Sequence, residues 1–213
     1  VRDGHSRIMR CVLPKVCAAM LGLSGLASAM PADDRLQLAD GLFSRGLYDL
    51  AQREYESLST NQPPVEKLDA VVFRLAESER LLGHRAEAVE AYKRVFTAFP
   101  ESAYAERAAY RHAELHVVGG QYLEAVNFLR TLVARHPSPD IAAPALYHLG
   151  YCSARISLRT DAIEAYRRVV AEYPTTVYFG YACLALVDLL KDEKHAEPEV
   201  AELNDVFLYT VDD

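Results

Sequence analysis

The chain of 213 residues has no tryptophan, only four cysteines, and ten each of glycine and proline. It contains no glycine-rich phosphate loop, no G-x-S-x-G turn and no cysteine–histidine nucleophile arrangement. Its carboxylates are abundant but scattered over what read as helix faces, as solvation requires. These absences argue against an enzyme and supply no catalytic residue and no cofactor site. The segment RHAELH puts His112 and His116 four apart on one helix, a spacing that two metal ligands could use, but the glutamate is misplaced for H-E-x-x-H and no third ligand is near. His112 also stands where neighbouring segments carry Leu75 and Leu149, so a packed histidine is the simpler reading and no metal is expected.

Long hydrophobic runs are missing as well. The most apolar stretch, Val16 to Leu26, is about 11 residues against the ~20 that cross a bilayer. It follows Arg2, Arg7, Arg10 and Lys15 and ends in Ala27-Ser28-Ala29, the layout of a cleaved secretory signal over residues 1–29. Neither Cys11 nor Cys17 lies where a lipoprotein anchor would need it, so the expectation is a soluble, exported, periplasmic protein cut near Ala29. Cleavage removes four of the 23 lysines and arginines but only Asp3 of the 30 acids, leaving 19 basic against 29 acidic side chains. An acidic surface repels phosphate backbones, so nucleic acid is a poor partner, and a neutral or basic protein segment a better one. Arg155, Arg159, Arg167 and Arg168 form the one local basic cluster, which a solvated face or ion pairs within the repeat would explain. Export would permit a disulfide between Cys152 and Cys183. Register opposes it: the two are offset by six residues, about 9 Å along adjacent helices, beyond the ~7 Å limit for a bridge.

What is present is repetition. Pro63, Pro100, Pro137 and Pro174 stand 37 residues apart. Twelve residues before each lies Ala51, Ala88, Ala125 or Ala162, and eight before each a large side chain, Tyr55, Tyr92, Leu129 or Tyr166. Seventeen before come Gly46, Gly83, Gly120 and then Ser157. Between these marks, apolar residues recur at three- and four-residue spacing, which makes each unit two amphipathic helices with the glycine between them and the proline after the second. The expected pairs are 33–45 with 48–60, 66–82 with 85–98, 102–118 with 121–135, 140–156 with 159–172, and a partial 176–192 with 198–209. The alanine permits close approach of the two helices, and the ring one turn later fills the gap between units. In the last unit Pro198 falls where a helix should begin and Glu199 where the alanine belongs, so residues 30–197 read as four and a half repeats and 198–213 as a degenerate helix or cap.

The run Ala76, Gly83, Ala88, Tyr92, Val95 and Pro100 resembles the tetratricopeptide repeat. Its phrasing is similar to that of bacterial envelope members, the periplasmic repeat protein of the Tol-Pal system and the outer-membrane assembly lipoprotein BamD. The resemblance implies an all-α, right-handed solenoid that binds protein partners. It also implies that the first helix of each pair lines a concave groove. Transferring the groove positions gives one ladder of Phe73, Tyr110 and Tyr147, and a second of Asp40, Glu77, Glu114, Tyr151 and Asp188. An aromatic floor edged with carboxylates would suit a peptide carrying apolar and basic side chains. The opposing reading has the rings filling seams and the acids solvated. The resulting expectation is an exported adaptor or scaffold that binds a protein partner, in an outer-membrane or envelope complex. The rival is the N-terminal array of a larger self-assembling structural protein.

Overall fold

The computed structural model describes residues 30–60, 66–135, 137–191 and 196–211. The expected signal segment 1–29 and Pro63 lie outside them. Among the described residues there are ten helices and no strand: α1 Ala32–Ser44, α2 Tyr48–Ser59, α3 Leu68–Leu82, α4 Arg85–Ala98, α5 Ala105–Val118, α6 Tyr122–Val133, α7 Pro139–Arg155, α8 Arg159–Glu172, α9 Val177–Leu190 and α10 Glu197–Val211. The expected boundaries hold to within a few residues. The main departure is α5, which starts at Ala105 because Ser102 closes a turn ahead of it, its hydroxyl accepting from the Tyr104 N–H while its carbonyl accepts from that of Ala105. No described helix is long and apolar enough to cross a membrane.

The turn inside each pair has a steric cause. Gly46, Gly83 and Gly120 take φ of 77°, 82° and 72°, the left-handed region in which a Cβ is strained. Ser157, at the equivalent point of the fourth pair, takes φ 63° with a side chain in place. The carbonyls freed at the ends of α1, α5 and α7 are met by N–H groups beyond these turns: Leu47 donates to Leu42, Gln121 to His116 and Leu158 to Ser153.

The chain falls into two compact units, divided between Leu82 and Gly83. In the first, α2 packs on both α1 and α3 around Ala39, Ala51, Tyr55, Leu58 and Val71. Tyr55 donates to Asp40 at 2.6 Å, and the Arg35 guanidinium grips Glu54 at 2.8 and 3.1 Å. In the second, consecutive helices from α4 to α10 pack pairwise, and the first helices of successive pairs, α5 with α7 and α7 with α9, also touch. The repeat alanines Ala51, Ala88, Ala125 and Ala162 are wholly buried, and Tyr55, Tyr92, Leu129 and Tyr166 are buried one turn on.

The C-terminal helix, expected over 198–209, runs Glu197–Val211. It begins at Glu197 with Pro198 in its first turn, where a missing N–H breaks no helical bond. Glu199, in place of the repeat alanine, takes both nitrogens of the Arg167 fork at 2.7 and 2.6 Å, so α10 is tied to α8 by an ion pair. Cys152 and Cys183 are both free and buried, and burial pushes the Cys152 thiol up to about 11.

Candidate functional site

The expected ladders do not present equal surfaces. Phe73 on α3 is 4% exposed and Tyr110 on α5 is 6% exposed, so neither ring is a groove floor open to a partner. The reason at Tyr110 is that α7 and α9 lie over it: its hydroxyl is 3.0 Å from His148 Nδ1, and the two rings stack at 5.9 Å. Burial pushes the Tyr110 hydroxyl well above the usual phenol range, with Glu114 adding to the shift, and burial holds His148 below its ordinary value. Both groups are therefore neutral near pH 7.

The carboxylate edge is altered in the same way. Glu77 pairs with Arg80 at 2.8 Å and Glu114 with Arg111 at 2.6 Å, each one turn away on its own helix. Asp40 accepts from Tyr55. All three are engaged locally: a partner would have to displace an arginine to use Glu77 or Glu114, and the Tyr55 hydroxyl to use Asp40.

Tyr147 and Tyr151 on α7 are half-buried, and here the aromatic surface reaches solvent. Tyr147 sits 5.5 Å from Tyr178 and 6.0 Å from Tyr181, both on α9, and leans inward on Tyr166 at 5.7 Å. Tyr151 stands edge-on to Tyr122, and the Arg155 guanidinium covers the Tyr122 ring at 5.1 Å and Tyr151 at 6.0 Å. Beside this cluster a cavity of about 280 Å³ is bounded by Arg107, Tyr110 and Glu114 of α5, Asp140 and Pro144 of α7, and Tyr178 of α9. The site therefore comes from the first helices of three successive pairs, all in the second unit.

Residues outside the two ladders complete it. Val177, Tyr181 and Leu184 are 74%, 58% and 47% exposed. Their spacing of four and three sets them on one stripe of α9 beside Tyr147. The sequence held the signal: one period beyond Tyr147 is Leu184, and α9 carries a single charged residue, Asp188, which marks a helix apolar on faces that its neighbours do not all cover.

Other candidates resolve into packing. His112 is buried, its Nδ1 donates to the Val89 carbonyl at 3.1 Å, and it lies between Phe96 and Phe128. His116 Nδ1 lies 2.8 Å from Gln121 Oε1. Among the described residues no group of three or more histidine, cysteine or acidic side chains is placed to hold a metal ion. The basic cluster is spent on pairing: Arg159 donates to the Leu189 carbonyl, Arg167 holds Glu199, and Arg168 holds Glu172 at 2.9 Å.

Two family models, each described as tetratricopeptide repeat, match residues 70–102 and 110–175. No curated protein matches the chain. Among solved structures, a fragment of MamA from Desulfovibrio magneticus RS-1 shares 18% identity and a TM-score of 0.65, covering 85% of this chain and 93% of that one. A tetratricopeptide repeat protein from Parabacteroides merdae shares 17% identity with a TM-score of 0.69, over 85% of this chain and 68% of that one. A putative kinesin light chain with TPR-like repeats from Podosopora anserina shares 18% identity with a TM-score of 0.59, over 85% of this chain and 96% of that one. At such identities the likeness is one of fold.

Proposed function

Because this chain is a tetratricopeptide repeat protein over residues 70–102 and 110–175, we propose that it is a scaffold that holds a protein partner on the first-helix face of its second unit. The observation that carries the reading is the contiguous, solvent-reaching aromatic and apolar surface of Tyr147, Tyr178, Tyr181 and Leu184. Aromatic rings with polar tips offer large contact area at low entropic cost, which is why they recur in protein interfaces. With Glu77 and Glu114 already paired, affinity comes from burying these rings, and the remaining acids steer a neutral or basic segment toward them.

A photo-crosslinking residue at Tyr181 in the native cell should give a discrete adduct. The same residue at Thr131, exposed on the second helix α6, should give none. Equal labelling at both positions, or none at either, would remove the scaffold reading from this face.

The place of action is the bacterial envelope, on the support of the basic, apolar and Ala27-Ser28-Ala29 order of residues 1–29. Sequencing of the protein recovered from periplasm should begin at or near Met30. Recovery of intact residues 1–29 in a membrane or cytoplasmic fraction would overturn the assignment.

A further inference from the structure

Packing engages one nitrogen of His112 and one of His116 and leaves the other. The His112 Nδ1 donates to the Val89 carbonyl of α4 at 3.1 Å, and the His116 Nδ1 donates to Gln121 Oε1 at 2.8 Å. An oxygen acceptor at Nδ1 places the ring proton there, so each imidazole carries its lone pair on Nε2. Burial holds His112 below its ordinary value, which keeps that lone pair unprotonated near pH 7.

The two rings stand one turn apart on α5, their centroids 4.8 Å from each other and their planes at 68°. A shared metal ion requires such a separation. With each ring nitrogen about 2.0–2.1 Å from the ion and its ring centre roughly 1.2 Å further out, two imidazoles at a right angle are centred about 4.5 Å apart, and two at the tetrahedral angle about 5.2 Å. The observed value falls between them. Phe96 and Phe128 hold the His112 ring at 5.4 and 4.9 Å, and the acceptors at Nδ1 orient both rings, the support that metal-ligating histidines have. Lys93 and Glu90 of α4 act on His112 with opposite sign and pair with each other at 3.8 Å, so their charges offset at the site.

We propose that His112 and His116 chelate one divalent transition-metal ion through their Nε2 atoms. Imidazole suits copper, nickel and zinc, and affinity should be highest for Cu²⁺. Among the described residues no third histidine, cysteine or acidic side chain joins the pair, so water fills the remaining positions of the ion and the site is open. The missing third ligand that spoke against a metal in the sequence excludes a closed site, not a two-nitrogen chelate. This site is independent of the scaffold reading and of the α9 surface.

The test titrates the untagged full chain with CuSO₄, NiCl₂ and ZnCl₂ in a non-coordinating buffer, by calorimetry and by melting temperature. One ion should bind per chain, Cu²⁺ tightest, and should raise the melting temperature because only the folded state holds both nitrogens together. His116→Gln, at a half-buried position, should keep the ion-free melting curve and lose both the bound ion and the rise. Gln121→Ala keeps both ligands but removes the acceptor that orients His116, and should weaken binding about 10- to 100-fold. Gln121→Glu, which accepts the same bond, should restore it, a response that a merely packed pair would not give. Absence of binding would overturn the proposal. So would binding that His116→Gln leaves unchanged, which would put the ion elsewhere, or a melting temperature that falls when the ion is added.

Discussion

Gly150 lies in the middle of α7, where alanine is ordinarily the better residue by about 1 kcal/mol. Its counterparts in the first three pairs are Ala39, Ala76 and Ala113, so Gly150→Ala looks like a repair. The structure predicts the opposite sign. A Cβ at position 150 would stand 2.8 Å from Tyr166 Cε1 and 2.9 Å from both Cδ1 and Cζ. Tyr166 is 3% exposed and backed by Tyr147, so its ring has no open space into which to move. Overpacking of this kind costs about 1–3 kcal/mol, and after the propensity gain of about 1 kcal/mol a net loss of up to about 2 kcal/mol remains. Ala39 coexists with Tyr55 because that ring is held through its hydroxyl by Asp40, whereas Tyr151 stands at the equivalent of Asp40 in the fourth pair. Urea unfolding followed by circular dichroism measures the effect. Adding Tyr166→Leu reproduces the Ala113 and Leu129 combination of the third pair, both wholly buried. The double variant should be more stable than the sum of the single changes by about 1 kcal/mol or more. If Gly150→Ala alone raises stability by the full propensity gain, the Tyr166 ring is not pinned and the packing argument fails.

Ser157→Gly should stabilise the chain by about 0.5–1 kcal/mol, because φ 63° strains a residue with a Cβ and the three equivalent turns use glycine; an unchanged or lower melting temperature would refute the turn assignment. Tyr55→Phe should cost about 1–3 kcal/mol by removing the 2.6 Å donation to Asp40, a bond to a charged acceptor, with the far-UV spectrum preserved. Stability should decline as pH falls below about 6.5, since His112 and His148 are held below that ordinary value chiefly by burial. The folded state then binds fewer protons than the unfolded one, so stability is whole above the unfolded value and is lost toward the folded one. His148→Gln should flatten that slope in a melting-temperature series, and an equal slope would show that His148 is not a source of it.

Much of the architecture could be read from spacing. Glycine between helices, alanine at the close approach and a ring one turn later each answer a local steric demand, and the helices fall within a few residues of where those marks put them. The candidate site was less legible. Tyr147 and Tyr151 reach solvent, but Phe73 and Tyr110 are buried, and Glu77 and Glu114 are paired with arginines on their own helices. A periodic sequence shows which way a position points. It does not show whether the next helix is bulky enough to cover it, which at Tyr110 depends on the identity of His148, a residue with no histidine at the equivalent point of any other pair.

The same reasoning applies to the exposed apolar side chains of α9. In a repeat array each unit buries its apolar face against its neighbours, whereas Val177, Tyr181 and Leu184 of α9 stay exposed among the described residues. On α9 the rung is leucine, with valine and tyrosine beside it on the stripe, and its one charged residue lies at the C-terminal end, next to the partial negative charge of the helix terminus. Exposed apolar surface costs solubility without strengthening the fold. Leu184→Glu should therefore leave the melting curve of the array unchanged, and on the scaffold reading it should abolish the crosslink at Tyr181; a lowered melting temperature would make Leu184 part of the packing instead.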